Sequence, residues 1–139
     1  MPKKLTNDKK ISKAMKGLGK VISECRENRS FRSVSDPCGM SASQLFMIEN
    51  GTLAPTAEIY AKLLSELKPT QKQQIKMDKF YMVIRGTPPP DVCEIMVKNE
   101  ALNDVVRMVG CGDLTAEQIE KIRNLITTFD LNQGEETNG

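Results

Sequence analysis

One segment of the chain carries more structural information than the rest: Gly39-Met40-Ser41-Ala42-Ser43-Gln44-Leu45-Phe46-Met47-Ile48-Glu49-Asn50-Gly51. The glycine at its start can take the positive φ that a tight turn between helices needs, and Ser41 can cap the following helix through its hydroxyl group. Leu45 and Ile48 give this helix an inward apolar stripe, while its first turn is small and polar. An Asn-Gly pair then ends the helix. This pattern is typical of the second half of a helix-turn-helix that reads DNA.

The rest of the chain shows nearly continuous helical periodicity and no period-two alternation of apolar residues, so we predict an all-α fold. A proline near the end of the second helical segment keeps that helix short. Thr70 and Gln73 have capping-box spacing and open a fifth helix. The helices predicted in this part of the chain cover about residues 11–26, 31–37, 42–49, 55–67 and 70–85.

The run Gly86-Thr87-Pro88-Pro89-Pro90 is the clearest break in the helical pattern and predicts a stiff spacer. A sixth helix should follow it, with one apolar stripe from Val92 to Val109, and Thr115 with Gln118 should cap the last helix. The predicted organisation is a basic N-terminal arm (1–10), a helix-turn-helix DNA-binding domain (11–85), a Pro-rich spacer (86–90), a C-terminal helical dimerisation hairpin (91–131) and a disordered tail (132–139).

The last two predicted helices have apolar faces that a hairpin of two helices cannot fully bury by itself. We therefore expect the hairpin to associate with a second copy of the chain; packing on the first half of the same chain is the alternative. The residues predicted to form the dimer interface are Ile95, Leu102, Val106, Ile119, Ile122, Ile126 and Phe129.

The charge of the chain is uneven, although its 139 residues sum to only +2. Residues 1–68 hold 12 Lys and Arg against 7 Asp and Glu, which gives +5, whereas residues 69–139 hold 8 against 11, which gives −3. A basic first half suits a polyanionic partner. The lysines that crowd the N-terminal residues form either a solvated tail or an arm that neutralises phosphates.

Several classes of function have no support in the composition. The chain has no His, its 4 Cys are scattered, and Gly17-Leu18-Gly19-Lys20 lacks the spacing of a phosphate-binding loop. We therefore expect no enzyme, no metal site and no cofactor, and we interpret the cysteines as reduced thiols. No apolar run suits a membrane span or a signal peptide, so we expect a cytoplasmic protein.

Residues from about 16 to 68 resemble the lambda-repressor/Cro-like helix-turn-helix domain of XRE-type transcriptional regulators. The likeness is strongest over residues 39–55, where Ile48-Glu49-Asn50-Gly51, followed shortly by proline, is similar to the end of the family's recognition helix. The resemblance implies a compact DNA-binding domain of five helices. It also implies a structural salt bridge between Arg26 and Glu49.

Three features depart from the family pattern. The second helical segment, 31–38, is shorter than the family's second helix, contains a proline and lacks the usual Gln-Glu-Glu-Leu-Ala run. The positions that usually carry polar base-reading side chains hold Ser41-Ala42-Ser43, and Phe46 stands where the family is often polar. We therefore expect base readout to be sparse, or to use contacts of Phe46 and Met47 with thymine methyl groups.

Affinity for DNA needs cations and amide donors at phosphates, whereas specificity needs side chains at base edges. We assign the phosphate contacts to Lys20, Arg29, Arg32, Asn50 and Thr52. The candidates for base contacts are Ser41, Ala42, Ser43, Gln44 and Met47, of which Gln44 could bind adenine in a bidentate way. Simpler roles stay open, namely a helix cap for Ser41, a C-cap for Asn50 and a solvated surface pair for Arg29 and Arg32.

These observations predict a dimeric transcriptional regulator that binds double-stranded DNA and represses by occupying a palindromic operator, with half-sites about 34 Å apart. The alternative is a protein-interaction or antitoxin-like module that uses the same fold with weak DNA readout. A bare patch of Phe46 and Met47 would favour a protein partner, and a basic surround would favour DNA. Steep weakening of binding by salt would also indicate DNA.

Overall fold

The computed structural model describes residues 2–110 and 112–129, with side chains from residue 8 onward. These residues form eight α-helices and no strand, so the predicted all-α class is confirmed. The helices are α1 (Pro2–Arg26), α2 (Phe31–Ser35), α3 (Ala42–Glu49), α4 (Ala57–Leu67), α5 (Gln71–Arg85), α6 (Pro90–Lys98), α7 (Ala101–Gly110) and α8 (Ala116–Thr127). Cys111, the hairpin end at 130–131 and the predicted tail at 132–139 lie outside the described residues.

Helix α1 is the central element of the N-terminal helices. It packs on α3, on α4 and most extensively on α5, while α2 packs on α3 and α4. Burying one large aliphatic side chain contributes about 1.5–3 kcal/mol, so the mostly aliphatic core between these helices is their main source of stability. The side chains buried most completely in this core are Leu18, Ile22, Val34, Cys38, Leu45, Tyr60, Leu63, Met77 and Tyr81.

Two glycines in the middle of α1 let other helices approach its backbone closely. A Cβ added at Gly19 would overlap the carbonyl oxygens of Ile48 and Glu49 at the end of α3. A Cβ added at Gly17 would lie 2.6 Å from the ring of Phe80 on α5. Glycine in a helix interior costs about 1 kcal/mol relative to alanine, and the close packing on both sides of α1 offsets that cost.

A partly buried polar contact joins α4 to α5 at the edge of the apolar core. The hydroxyl group of Tyr60 donates a hydrogen bond of 2.7 Å to Oδ1 of Asp78, and the rings of Tyr60 and Tyr81 stack with centroids 4.2 Å apart. Burial is the main cause that raises the pKa of Tyr60 and of Asp78, and the carboxylate of Asp91 raises both further. The hydrogen bond from Tyr60 acts against this rise at Asp78, because it stabilises the carboxylate.

The end of α5 holds the loop that leads from α3 into α4. Arg85 donates from Nε at 2.9 Å and from Nη2 at 2.6 Å to the carbonyl oxygen of Pro55. Gly86 then ends α5 with a φ of +70°. Arg85, the last residue of α5, therefore holds Pro55 in the loop between α3 and α4.

The predicted boundaries differ most from the observed helices at the start of α1 and after the spacer; the second helix also ends earlier, at Ser35, and the fourth begins later, at Ala57. The predicted arm at 1–10 is continuous with the first helix, because α1 begins at Pro2. The single helix predicted after the spacer is two helices, α6 and α7, with a break at Asn99 and Glu100. The amide of Leu102 donates to the carbonyl oxygen of Asn99 at 2.9 Å, and asparagine is favoured at such helix starts. The apolar stripe continues across the break and therefore hides it.

The chain divides into two compact units, Met1–Val97 and Lys98–Gly139. The boundary falls inside the predicted hairpin at 91–131, so that nearly all of α6 belongs to the first unit. Helices α7 and α8 of the second unit have no buried residues. Throughout the part of the chain that the structure describes, no helix combines the length and apolar character needed to cross a membrane.

Candidate nucleic-acid interface

Helices α2 and α3 pack on each other and are joined by a turn with its own hydrogen bonds. Ser30 caps α2 by accepting a hydrogen bond from the amide of Ser33 at 3.1 Å. The carbonyl oxygen of Ser35 accepts from the amide of Met40 at 3.1 Å, and Gly39 has the positive φ, +69°, that its place in the sequence predicts. The turn therefore holds α3 against α2 in a defined geometry.

Helix α3 begins with a capping box that engages two of the predicted base-contact residues. Oγ of Ser41 accepts from the amide of Gln44 at 3.1 Å, and Oε1 of Gln44 accepts from the amide of Ser41 at 3.0 Å. A cap of this kind contributes about 1 kcal/mol to helix stability. Bidentate reading of adenine needs both the oxygen and the nitrogen of the Gln44 amide, so it would require the cap to open.

The other predicted base-contact residues differ in exposure along the first turns of α3. Ser43 is exposed, Ala42 is half-buried and Met47 is 40% exposed. Phe46, next to Met47, is 54% exposed. The inward stripe that the sequence predicts for this helix is buried. The largest side chains that α3 presents to solvent are therefore apolar.

The ion pair expected between Arg26 and Glu49 is present and is bidentate. Nε and Nη2 of Arg26 donate to Oε2 and Oε1 of Glu49 at 2.7 and 3.0 Å, and the two side chains are only 15% and 8% exposed. The hydrogen bond with Glu49 raises the pKa of Arg26. Nη1 of Arg26 also donates to the carbonyl oxygen of Arg29 at 2.6 Å. One guanidinium group thus ties the end of α1 to α3 and to the segment before α2.

Two aromatic residues connect Arg26 of this ion pair to the exposed surface of α3. Cζ of Arg26 lies 3.9 Å from the centre of the Phe31 ring, which is a cation–π contact. The rings of Phe31 and Phe46 meet edge to face, with centroids 5.8 Å apart and an interplanar angle of 71°. We call Arg26, Glu49, Phe31 and Phe46 the Arg–Phe cluster. Phe31 has no role in the sequence-based assignment, since only the tertiary structure brings it to Phe46.

The two arginines predicted to contact phosphate are in different environments. Arg29 forms an ion pair with Oε2 of Glu66 at 2.6 Å and donates to the carbonyl oxygen of Ser33 at 3.0 Å. The Glu66 carboxylate therefore neutralises much of its charge. Arg32 is exposed, and its guanidinium group has no hydrogen-bond or ion-pair partner among the described residues. Of the two, Arg32 is the cation available to a phosphate.

Lys20 lies close to lysines of α5. It lines a cleft of about 380 Å³ between α1 and α5 together with Glu24, Lys76 and Lys79. Gly17 and Phe80 form part of the same cleft. A phosphate contact of Lys20 would therefore also approach the lysines of α5, which the sequence-based assignment does not include.

Asn50 and Thr52 form a local network directly after α3. Oδ1 of Asn50 accepts from the amide of Thr52 at 3.1 Å and from its hydroxyl group at 2.7 Å. Gly51 between them has the left-handed φ of +82°. A Cβ added at Gly51 would lie 2.6 Å from Cγ of Lys16, so the exposed Lys16 stands beside this network. Lys16 is one of the N-terminal lysines that the sequence offers as phosphate contacts, and the packing of α1 on Gly51 brings it to the end of α3.

The predicted dimer-interface residues belong to both units. Ile95 lies on α6 in the first unit, and the other six lie in the second unit. All seven are exposed, from 37% for Leu102 and Ile122 to 55% for Phe129.

Within residues 2–110 and 112–129, no group of three or more His, Cys, Asp or Glu side chains is placed to hold a metal ion. No protein-family model, no curated protein and no solved structure matches the chain. What α2 and α3 can bind therefore follows from their geometry and from the charges around them.

Proposed function

We propose that this chain is a dimeric, sequence-specific regulator of transcription of the lambda-repressor/Cro-like, XRE type, and that it represses by occupying a palindromic operator in double-stranded DNA. One observation carries the proposal: a capped α3 packs on α1 and α2 and leaves its opposite side exposed. The Arg26–Glu49 ion pair fixes the end of α3 to the end of α1. A helix held in this way suits insertion into the major groove.

The distribution of charge between the units supports this proposal. Residues 1–97 hold 16 Lys and Arg against 10 Asp and Glu, which gives +6, and residues 98–139 hold 4 against 8, which gives −4. A basic first unit attracts the phosphate backbone, and an acidic second unit disfavours non-specific contact with it. Arg32 on α2 and Lys16 beside the end of α3 are exposed cations of the first unit.

The second unit is the proposed dimerisation element. Its described helices, α7 and α8, have no buried residues, although both are amphipathic in sequence. Covering exposed apolar side chains is favourable, and a second copy of the same unit supplies a matching apolar surface. Two DNA-binding units would then be joined by one symmetric contact, as a palindromic operator requires.

A protein-interaction or antitoxin-like module is the second candidate. It is favoured by one observation, the exposed apolar side chains of Phe46 and Met47 on α3. The two candidates differ in their response to salt, because contacts with phosphates release counterions and contacts between apolar surfaces do not.

The experiment that tests the proposal is selection of binding sites from random duplex DNA, followed by a salt titration on the enriched sequence. We expect a palindromic motif and a linear fall of log K with log salt, with a slope of about −0.9 for each phosphate contact. Absence of an enriched motif would contradict sequence-specific DNA binding and favour the protein-interaction module.

Arg32→Ala should weaken binding to every duplex and lower the salt slope by about one, because Arg32 is assigned to a phosphate. The matched control is Lys121→Ala, which removes one positive charge from the second unit and should leave both the affinity and the slope unchanged. Equal losses in the two variants would contradict a local phosphate contact and indicate an effect of net charge alone. Filter binding at several salt concentrations measures both quantities.

A further inference from the structure

We infer that α3 selects its DNA site by apolar contacts of Phe46 and Met47 with the C5-methyl groups of thymines in the major groove. The inference rests on the proposed DNA-binding function and adds to it the chemical group that is recognised. Thymine is the standard base that presents a methyl group in this groove.

The side-chain oxygens at the start and end of α3 already accept hydrogen bonds from within the chain. Oγ of Ser41 and Oε1 of Gln44 form the capping box, and Oδ1 of Asn50 accepts twice from Thr52. Ser43 alone among the predicted polar readers is exposed with a hydroxyl group that has no partner among the described residues. The Nε2 group of Gln44 remains as a donor, but Gln44 cannot bind adenine through both of its amide atoms unless the cap opens, so bidentate reading by hydrogen bonds is disfavoured.

Phe46 is exposed and also fixed in place. Its ring contacts Phe31 edge to face with centroids 5.8 Å apart, the centre of the Phe31 ring lies 3.9 Å from Cζ of Arg26, and Arg26 donates two hydrogen bonds to Glu49. At 54% exposure, about half of the Phe46 side-chain surface is free for contact. A side chain ordered before binding loses less conformational entropy on binding, so the Arg–Phe cluster prepares Phe46 as a rigid apolar reader.

The charges around this apolar surface favour DNA as its occupant. Arg32 directly follows Phe31, the residue whose ring contacts Phe46, and Lys16 lies beside Gly51 just after α3. Both cations are exposed. Duplex DNA offers phosphates to the cations and methyl groups to Phe46 and Met47 at the same time. A purely apolar protein segment would leave the two cations uncompensated.

The test removes only methyl groups from the DNA. A duplex enriched by selection is prepared with thymidine and with deoxyuridine at the same positions, and Kd is measured for both at one salt concentration. We expect the deoxyuridine duplex to bind about fourfold more weakly for each contacted methyl group that is lost.

Protein variants assign the contact to its side chains. In Phe46→Ala/Met47→Ala, the difference in Kd between the thymidine and deoxyuridine duplexes should largely disappear. Met82→Ala is the matched control, because Met82 is a 46% exposed methionine on α5, and it should keep the full difference. Thermal melting followed by circular dichroism checks that both variants are folded.

The outcomes separate the two proposals. Equal affinity of the normal chain for the two duplexes would overturn methyl recognition while leaving DNA binding intact. A deoxyuridine penalty that persists in Phe46→Ala/Met47→Ala would overturn the assignment to these side chains. Failure to enrich any duplex would overturn the proposed function itself.

Discussion

The two units of the chain use similar amphipathic helices with different results. In the first unit, Leu18 and Leu63 are 1% and 0% exposed, whereas in the second unit Leu125 and Met108 are 58% and 74% exposed. In the first unit, α1 packs on α3, α4 and α5, and α2 packs on α3 and α4, while the second unit has two described helices. The comparison shows that an apolar stripe specifies a helix, but burial requires enough neighbouring helices to enclose the stripe.

The largest expected effect comes from truncating matched leucines in the two units. Leu63→Ala should lower the free energy of unfolding by about 2–5 kcal/mol, because it leaves a cavity in a closed core. Leu125→Ala should change it by less than about 0.5 kcal/mol in dilute protein, since its side chain is already hydrated. Urea denaturation followed by circular dichroism measures both. A loss at Leu125 equal to that at Leu63 would mean that the second unit is covered.

Ion pairs sharpen the same comparison. Arg26→Ala should lower the free energy of unfolding by about 3 kcal/mol, because Glu49 is left largely buried without its partner. The exposed pair of Lys121 with Glu117, at 3.7 Å in the second unit, is the control, and Lys121→Ala should cost less than about 0.5 kcal/mol. In a double-mutant cycle, Arg26→Ala and Glu49→Ala should together cost less than the sum of their separate effects. Strict additivity would argue against a coupled pair.

The role proposed for the second unit is tested by placing a charge on its apolar surface. Ile122→Asp should raise the dimer dissociation constant at least about tenfold, because a carboxylate would be buried at the contact. Asn124→Asp adds the same charge two residues away without removing an apolar side chain, and it should change the constant much less. Sedimentation velocity over a range of concentrations measures both. A monomeric normal chain would contradict the dimer.

The smallest effect concerns Asp78, a partly buried carboxyl group of the first unit. Burial raises the pKa of Asp78, so the folded state binds a proton more readily than the unfolded state. Its contribution to stability therefore increases as pH falls toward the raised pKa and is lost as pH rises through it. Asp78→Asn keeps an acceptor for Tyr60 and should remove this part of the pH dependence. Urea denaturation of both proteins from pH 3.8, the ordinary pKa of an aspartate, up to about pH 7 measures it; identical slopes would contradict the assignment.

Features set by neighbouring residues could be predicted from the sequence. The capping boxes of Thr70 with Gln73 and of Thr115 with Gln118 are present, because each needs only two side chains three residues apart. The positive φ of Gly39 is likewise a local requirement. The break at Asn99 could not be predicted, because the apolar stripe continues across it and indicates a single helix.

The candidate site was only partly visible in the sequence. The helix α3 and its cap follow from local spacing, and the Arg26–Glu49 pair was expected from a resemblance. The ion pair of Arg29 with Glu66 engages the guanidinium group of a residue predicted to contact phosphate. It joins residues far apart in the chain. No pattern in the amino-acid order alone indicates such a contact.

The sequence by itself determined the helical class, the caps and turns around α3, and the contrast between a basic first part and an acidic last part. These depend on propensity, on short-range hydrogen bonds and on composition, which act within a few residues. Tertiary structure alone decided that Gly19 lets α3 lie against α1, that Phe31 supports Phe46, and that Lys16 stands beside Gly51. Each of these contacts joins residues that are distant in sequence, so it arises only when the core closes and sets the distances between helices.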